Sequence, residues 1–204
     1  MDILGIDEAG RGSVLGPMVI AGVVVPEKME KVLERMGVKD SKRLVPNRRT
    51  ILSRKLKKMF PHEMVVISAR EIDDLRASGV NLNEIEKNAM ESILLKLEFD
   101  KAIVDAVDVK AERFQENLRI DTGLNVFAEH KADDKYIEVS AASIIAKAAR
   151  DEYIKDINKD YIKSGGIGSG YPSDPKTKDF LSKYTYDEMP EFVRKSWATV
   201  AKMK

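Results

Sequence analysis

Acidic side chains follow apolar runs at three separate places in this sequence. They are Asp7, Glu8, Asp105, Asp133 and Asp134. Unpaired buried charge is costly, so a strand gains no stability by ending in carboxylates. For the Asp7-Glu8 pair taken alone, a solvated acidic turn is the simpler interpretation. The three segments together instead favour one shared site, provided that the strands that carry them are neighbours.

A cluster of carboxylates is suited to binding divalent cations. Carboxylates near one point repel each other, and oxygen atoms are the ligands that Mg²⁺ and Mn²⁺ prefer. Two such ions about 4 Å apart can act on an in-line displacement at phosphorus. The sequence contains no Cys, which excludes disulfides, thiolate metal sites and Cys nucleophiles. It contains two His residues. The chemistry that these residues favour is metal-assisted attack on phosphorus.

Three further polar segments are candidates for binding a ligand. Gly10, Arg11 and Gly12 follow the first acidic pair, Lys42 lies in a polar loop, and Tyr171 lies in a loop rich in Gly and Ser. The spacing of the early glycines does not fit G-x-G-x-x-G, and an apolar run follows where a dinucleotide-binding helix would begin. On residue type alone, the Lys42 loop is a solvated turn and Tyr171 covers the edge of the core.

An alternating series of strands and helices must position these segments. Apolar runs predict strands at residues 1–8, 17–25, 64–68, 101–108 and 124–129. Helical spacing predicts helices at residues 26–36, 46–59, 69–75, 81 or 83 to 97, 111–118, 140–161, 175–183 and 190–200. This order favours an α/β fold with a mixed central sheet, flanking helices and a helical C-terminal region at about 164–204. We expect residues 1–204 to form a single domain.

The first acidic pair poses a geometric problem, because adjacent residues of a strand point to opposite faces. Asp7 and Glu8 can therefore reach the same ions only if the first strand twists or ends there. Gly10 and Gly12 make such an ending plausible, since glycine adopts conformations that other residues avoid.

Composition limits the classes of protein to which this chain can belong. A length of 204 residues with 43% hydrophobic residues supports one substantial core. The charged residues nearly balance to a net charge of +1, so any basic surface that binds nucleic acid must be local. No apolar run is long enough to span a membrane and no signal peptide precedes the first strand. We expect a soluble cytoplasmic protein that is monomeric and has no membrane partner.

Six motifs in a fixed order resemble those of type 2 ribonuclease H, also called ribonuclease HII. They are GIDEAGRGSVLGPMVIAGVVV, DSKRL, IVDAVD, EHKADDKY, SAASIIAKAARDEY and GSGYPSDPKT, which together cover residues 3 to about 180. The form of the last motif and the length of the chain are similar to the archaeal single-chain branch. The resemblance implies a ribonuclease H-like fold and hydrolysis of RNA in RNA–DNA hybrids. It also implies incision on the 5′ side of single ribonucleotides embedded in duplex DNA, leaving 5′-phosphate and 3′-hydroxyl ends.

The same resemblance assigns roles to individual residues. The four metal-binding carboxylates of the family correspond to Asp7, Glu8, Asp105 and Asp133, which would hold two Mg²⁺ or Mn²⁺ ions. Asp133 is chosen over Asp134 because the family pattern reads Lys-Ala-Asp before a variable position.

Substrate contacts are also implied by the resemblance. The Gly10-Arg11-Gly12 loop and Tyr171 would sense the 2′-hydroxyl that distinguishes RNA from DNA. Lys42 would contact a backbone phosphate. The C-terminal segment WATVAKMK contains no convincing sliding-clamp motif, so we predict no clamp partner.

Three other kinds of function are compatible with part of this pattern. A nuclease or resolvase of the same fold that acts on DNA would use the same carboxylates and metals, but would need no pocket for a 2′-hydroxyl. A non-catalytic nucleic-acid-binding module, or a structural magnesium-binding protein, would not need all four carboxylates together with the GRG and GSGYP loops.

Overall fold

The structure, a computed structural model, describes residues 1–204 apart from the side chains of Asp40 and Ser41 in the DSKRL motif. Five strands form one mixed sheet. They are β1 (Asp2–Ala9), β2 (Met18–Pro26), β3 (His62–Ile67), β4 (Lys101–Asp105) and β5 (Val126–Glu129). Their order across the sheet is β3-β2-β1-β4-β5. β1 pairs antiparallel with β2 and parallel with β4, and β4 pairs parallel with β5.

Nine α-helices accompany the sheet in the described part of the chain. They are α1 (Glu30–Arg35), α2 (Pro46–Met59), α3 (Ala69–Ala77), α4 (Leu82–Leu94), α5 (Ala111–Thr122), α6 (Ala132–Lys135), α7 (Ile137–Lys159), α8 (Pro175–Leu181) and α9 (Ala198–Ala201). Short 3-10 segments lie at Glu27–Met29, Val38–Arg43 and Ile162–Ser164. Among the described residues, no helix has the length and apolar character needed to cross a membrane. The predicted α/β class with a mixed sheet and flanking helices is confirmed.

Glycine allows the longest helix to pack directly against the central strand. A Cβ on Gly5 of β1 would lie 2.2 Å from the backbone carbon of Glu138, in the first turn of α7. No L side chain tolerates such a contact, so only glycine permits this approach. The close packing fixes α7 against the strand that carries Asp7 and Glu8.

The contacts within the chain divide it into two compact units, so the predicted single domain stays a prediction. The first unit comprises residues 1–9, 19–65 and 83–149, and the second comprises residues 10–18, 66–82 and 150–204. In the first unit, one buried cluster contains Ile3, Ile103, Ala132 and Val139. In the second unit, the buried cluster contains Val14, Leu15, Ile167, Phe180, Leu181, Met189, Val193 and Val200.

The C-terminal helix predicted at residues 190–200 is much shorter in the structure. Val193 forms an isolated antiparallel bridge with Leu15, and the amide of Arg194 donates to the carbonyl of Val14 at 2.9 Å. These long-range backbone bonds hold the segment in turns on either side of the isolated bridge, and α9 begins at Ala198. Local helical spacing was outweighed here by pairing with a distant segment.

Candidate active site

The predicted acidic segments of the first and fourth strands come together. β1 and β4 are parallel neighbours whose last residue pair is Ile6 with Val104, so Asp7 and Asp105 follow at the same edge of the sheet. Asp7, Glu8 and Asp105 each offer a carboxylate oxygen, and these oxygens all lie within 4.8 Å of one another. That spacing suits ligands of a shared divalent cation. The metal-binding role itself stays a prediction.

The pairing of β1 explains how both residues of the first acidic pair reach this place. Asp7 and Glu8 are still paired with β2, opposite Ala21 and Ile20, but they lie beyond the last residue pair with β4. At Asp7 and Glu8, β1 therefore has a paired strand on its β2 side but none on its β4 side. Side chains that leave opposite faces can approach each other around such a free edge.

Burial and mutual repulsion govern the charge of this cluster. Asp7 is only 4% exposed, and burial raises its pKa well above the ordinary value, with further increases from Glu8 and Asp105. The nearby Ser143 and Lys147 of α7 act in the opposite direction on the pKa of Asp7. Without a bound cation, the cluster is therefore poorly compensated at neutral pH.

Asp105 is held by the segment that leads into the third acidic position. Its Oδ1 accepts a hydrogen bond of 2.8 Å from the amide of Ala132. Burial raises the pKa of Asp105, while this hydrogen bond lowers it and Asp133 raises it. Lys131, immediately before Ala132, has a positive φ of 56°, which is uncommon for a residue other than glycine. This turn aims the amide of Ala132 at the Asp105 carboxylate.

The fourth predicted carboxylate, Asp133, lies beside the cluster but is not one of its three closely spaced members. It is buried, and its charge acts on Asp105. The Nζ atom of Lys42 lies 3.3 Å from Asp133 and 2.5 Å from Asp134. Hydrogen bonding to Asp134 raises the pKa of Lys42, so this lysine is a firmly charged neighbour of the carboxylates. The structure thus brings Lys42 to the third acidic segment, a contact that the sequence did not suggest.

Within the second unit, the residues that directly follow Gly10-Arg11-Gly12 are joined to the Tyr171 loop by hydrogen bonds. The carbonyl of Gly170 accepts from the amides of Val14 (2.8 Å) and Leu15 (3.1 Å). It also accepts from the Ser13 hydroxyl at 2.7 Å. Gly170 has a φ of 85° and sits against these partners, so a side chain there would be strained as well as crowded. Two segments predicted to recognise ribose are therefore held together, although their substrate-binding roles remain untested.

A buried arginine that sequence reasoning missed lies beneath these loops. Arg150 of α7 is 5% exposed and donates from Nη2 to the Ser13 hydroxyl and to the carbonyl of Leu15. Its guanidinium lies 5.1 Å from the ring centroid of Tyr171. A Cβ on Gly10 would lie 2.2 Å from Arg150 Nε, so the loop and the guanidinium are in close contact. The sequence offers no signal for this burial, because Arg150 lies close to Lys147, Asp151 and Glu152 in the same helix and resembles a surface charge.

Arg194 is a second buried arginine that the sequence did not reveal. It is fully buried, and its Nε and Nη1 donate to the carbonyls of Gly16 and Arg11, each at 3.0 Å. Burial, with a further effect from Arg150, lowers the pKa of Arg194 to about 9, which leaves it charged at neutral pH. Neither arginine forms an ion pair within the described part of the chain. The guanidinium lies 4.7 Å from the ring centroid of Trp197.

We expect Arg194→Lys to destabilise the protein by about 2–3 kcal/mol, because one ammonium cannot replace a fork that serves two carbonyls. The ammonium has three N–H groups on a single nitrogen, which cannot occupy the positions of both Nε and Nη1. Urea denaturation of both proteins gives the free energy of unfolding. Lys195→Arg, at the partly exposed neighbouring position, is the control. Equal stability of Arg194→Lys and the unaltered protein would show that the two hydrogen bonds are not structurally important.

Comparison with known proteins gives one consistent family. A sequence model described as Ribonuclease HII matches residues 4–200. The Ribonuclease HII of Methanobrevibacter smithii is 77% identical over 204 residues, which cover 100% of this chain and 99% of that protein. A crystal structure of the ribonuclease H2 from Pyrococcus horikoshii superposes with a TM-score of 0.89 at 40% identity, covering 100% of this chain and 97% of that one.

A second solved relative comes from a complex of PCNA with RNase HII from Archaeoglobus fulgidus. It has a TM-score of 0.87 at 42% identity, and the match covers 97% of this chain and 95% of that chain. These similarities extend over essentially the whole sequence and the whole fold. The matched residues include the motifs that resemble those of ribonuclease HII. The chain therefore belongs to the ribonuclease HII family of ribonuclease H enzymes.

Proposed function

We propose that this enzyme is an endonuclease that hydrolyses the RNA strand of RNA–DNA hybrids and incises on the 5′ side of single ribonucleotides in duplex DNA. The products carry 5′-phosphate and 3′-hydroxyl ends. The observation that carries the proposal is the approach of the Asp7, Glu8 and Asp105 carboxylates to within 4.8 Å of one another at the end of the sheet. Family membership supplies the class of substrate.

The carboxylates fit a pair of divalent ions. Asp7, Glu8, Asp105 and Asp133 are an oxygen-only ligand set, which favours Mg²⁺ or Mn²⁺. The raised pKa values of Asp7 and Asp105 support this fit, because other side chains compensate these carboxylates only in part. When bound, such ions activate water for attack on phosphorus and stabilise the leaving 3′-oxygen. Asp7, whose charge interacts with both Glu8 and Asp105, would hold an ion together with them.

Lys42 contributes an exchangeable positive charge beside this ligand set. Its ammonium is paired with Asp133 and Asp134. Its side chain is half exposed, so a phosphate of the substrate can compete for the ammonium. Lys42 would then bind the backbone near the scissile phosphate and leave Asp133 available to a cation.

Selection of a ribonucleotide is assigned to the Gly10-Arg11-Gly12 loop and Tyr171. Nothing lies within 4 Å of the position that a Cβ on Gly12 would occupy, so a sugar can approach its backbone closely. Arg194 holds the carbonyl of Arg11, and Arg150 contacts both Gly10 and the ring of Tyr171. Because a 2′-hydroxyl both donates and accepts, a rigid array of backbone groups can distinguish it from the hydrogen of deoxyribose.

Cleavage of a duplex that contains one ribonucleotide tests the proposal most directly. The duplex is incubated with the protein in Mg²⁺, in Mn²⁺ and in EDTA, and the products are mapped at nucleotide resolution. We expect incision only with metal and only on the 5′ side of the ribonucleotide. An all-DNA duplex of the same sequence is the control. Cutting of that control at a similar rate would instead identify a DNA nuclease or resolvase.

The two adjacent aspartates of the third segment are expected to differ in importance. Asp133→Asn should reduce turnover strongly, because Asp133 is buried beside Asp105 and is a proposed ligand. Asp134→Asn should change turnover by no more than about threefold, since it removes an exposed ion pair with Lys42. Initial rates at saturating Mg²⁺ compare the two variants. A larger loss in Asp134→Asn would assign the metal-binding role to Asp134.

A further inference from the structure

Helix α2 carries a charge that the rest of the protein does not share. Its 14 residues include no acidic residue and six basic ones, which are Arg48, Arg49, Arg54, Lys55, Lys57 and Lys58. The whole chain has a net charge of only +1, so all other residues together are net negative. The positive charge is therefore local, as a nucleic-acid contact on a nearly neutral protein requires.

The basic side chains are concentrated on one face of the helix. Leu52, Ser53 and Leu56 are buried on the opposite side. At 100° per residue, the exposed face contains Arg48, Arg54, Lys55 and Lys58, with Ile51 among them. These positions extend about 15 Å along the axis, at 1.5 Å per residue.

The helix dipole favours Lys58, which lies in the last turn of α2, but it does not account for the basic residues nearer the start of the helix. The first turn of a helix favours acidic side chains, because the helix dipole is positive there. α2 has no acidic residue in its first turn and no side-chain cap, and Arg48 lies in that first turn, where a positive charge is unfavourable. Arg48, Arg54, Lys55 and Lys58 form no ion pair with any described side chain. Exposed positive charge without local compensation is available to an external anion.

The segment before α2 connects the helix to the acidic residues of the first unit and limits its distance from them. Lys42 lies 3.3 Å from Asp133, and α2 begins four residues later at Pro46. The start of the same segment is anchored to α7, because Ser140 Oγ donates to the carbonyl of Val38 at 2.7 Å. Four residues span at most about 14 Å, and Arg48 lies two helical residues further on, so the basic face begins within about 17 Å of Lys42.

We propose that the exposed face of α2 binds the phosphate backbone of the duplex to one side of the cleavage position. Adjacent phosphates of one strand advance about 3.4 Å along the duplex axis, so a face of about 15 Å spans several of them. The proposal rests on the proposed function for the identity of the ligand, a nucleic-acid duplex. It adds a binding surface that carries no catalytic group and that acts by charge rather than by sequence.

A charge-matched pair of variants tests this surface. The α2 variant combines Arg48→Gln, Lys55→Gln and Lys58→Gln. The control combines Lys28→Gln, Lys31→Gln and Arg35→Gln, which are exposed residues of the first unit in and beside α1. Both variants lose three positive charges from positions that bury no core side chain. Thermal melting confirms that each is folded before binding is measured.

Binding is measured by fluorescence anisotropy in EDTA, with duplexes that do or do not contain one ribonucleotide, between about 50 and 200 mM salt. For the α2 variant we expect about tenfold weaker binding at low salt. The slope of log K against log salt should become shallower by about 0.9 for each phosphate that the variant no longer neutralises. Both duplexes should be affected equally. In cleavage assays KM should rise while kcat is unchanged, because no reacting atom is touched.

The control separates a specific surface from a general effect of charge. Equal changes in slope for the α2 and control variants would overturn the proposal, as would an unchanged slope for the α2 variant. If the unaltered protein bound duplexes but did not cleave a ribonucleotide-containing one, the proposed function would fail. A shallower slope confined to the α2 variant would still support the binding surface in that case.

Discussion

Replacing Asp7 or Asp105 by Asn is expected to abolish cleavage while leaving the metal-free protein at least as stable as before. Each substitution removes a carboxylate from the group whose oxygens lie within 4.8 Å of one another. Because bound ions supply several kcal/mol of transition-state stabilisation, we expect turnover to fall by at least about 10³-fold. Titration with Mn²⁺ should show weaker binding for both variants.

The substitutions are expected to lower activity but not stability, because the folded protein disfavours the charged form of these carboxylates. The pKa of Asp7 is raised in the folded protein, chiefly by burial and then by Glu8 and Asp105. Such a group favours folding fully below its unfolded pKa, and this contribution is lost as pH rises through the folded pKa. At neutral pH the charged form therefore opposes folding. Asn resembles the protonated form and removes this penalty.

Melting temperatures in EDTA at several pH values measure this contribution. The unaltered protein should lose stability as pH rises above the ordinary range of Asp, and Asp7→Asn should lose less. Added Mg²⁺ should raise the melting temperature of the unaltered protein at neutral pH, and raise that of the variants less. Glu98→Gln, an exposed residue of the same unit, is the control. Normal turnover in both Asp variants would dismiss the metal assignment.

The part of the site that could be predicted from sequence is the part specified by local pattern. Two apolar runs, each ending in a carboxylate, predicted strands whose acidic ends would meet, and β1 and β4 are indeed parallel neighbours. Pro46 and a helical spacing predicted α2 with the bounds that are observed, Pro46–Met59. In both places the local signal and the tertiary environment agree, because the apolar side is the side that becomes buried.

What sequence could not supply are contacts between distant residues. Arg150 and Arg194 resemble ordinary surface charges in the sequence, yet each is buried because it donates to carbonyls more than 130 residues away. The segment at residues 190–197 has helical spacing but pairs with Leu15 instead. The turn at Lys131 depends on the Asp105 carboxylate. In each case the partner is chosen by the fold, and the residue itself carries no sign of it.

Tyr171→Ala is expected to reduce kcat/KM on a single embedded ribonucleotide by about 10- to 100-fold, because misplacing a bound group by about 1 Å has effects of this size. The ring is 39% exposed, so its removal leaves the core intact. The loop should keep its conformation, since the carbonyl of Gly170 remains bonded to Ser13, Val14 and Leu15. The loss would therefore come from the missing ring rather than from a collapsed loop.

One further variant separates the contribution of the Tyr171 ring from that of its hydroxyl. The ring lies over the Arg150 guanidinium at 5.1 Å, which holds it in place whether or not it carries a hydroxyl. Tyr171→Phe should therefore retain most activity if the ring packs on a sugar, and should resemble Tyr171→Ala if the hydroxyl makes the decisive contact.

Tyr153→Ala, which removes an exposed tyrosine of α7, is the control for loss of an aromatic side chain. Unaltered incision of the ribonucleotide-containing duplex by Tyr171→Ala would remove this residue from substrate recognition. The Gly10-Arg11-Gly12 loop would then be left to sense the 2′-hydroxyl without it.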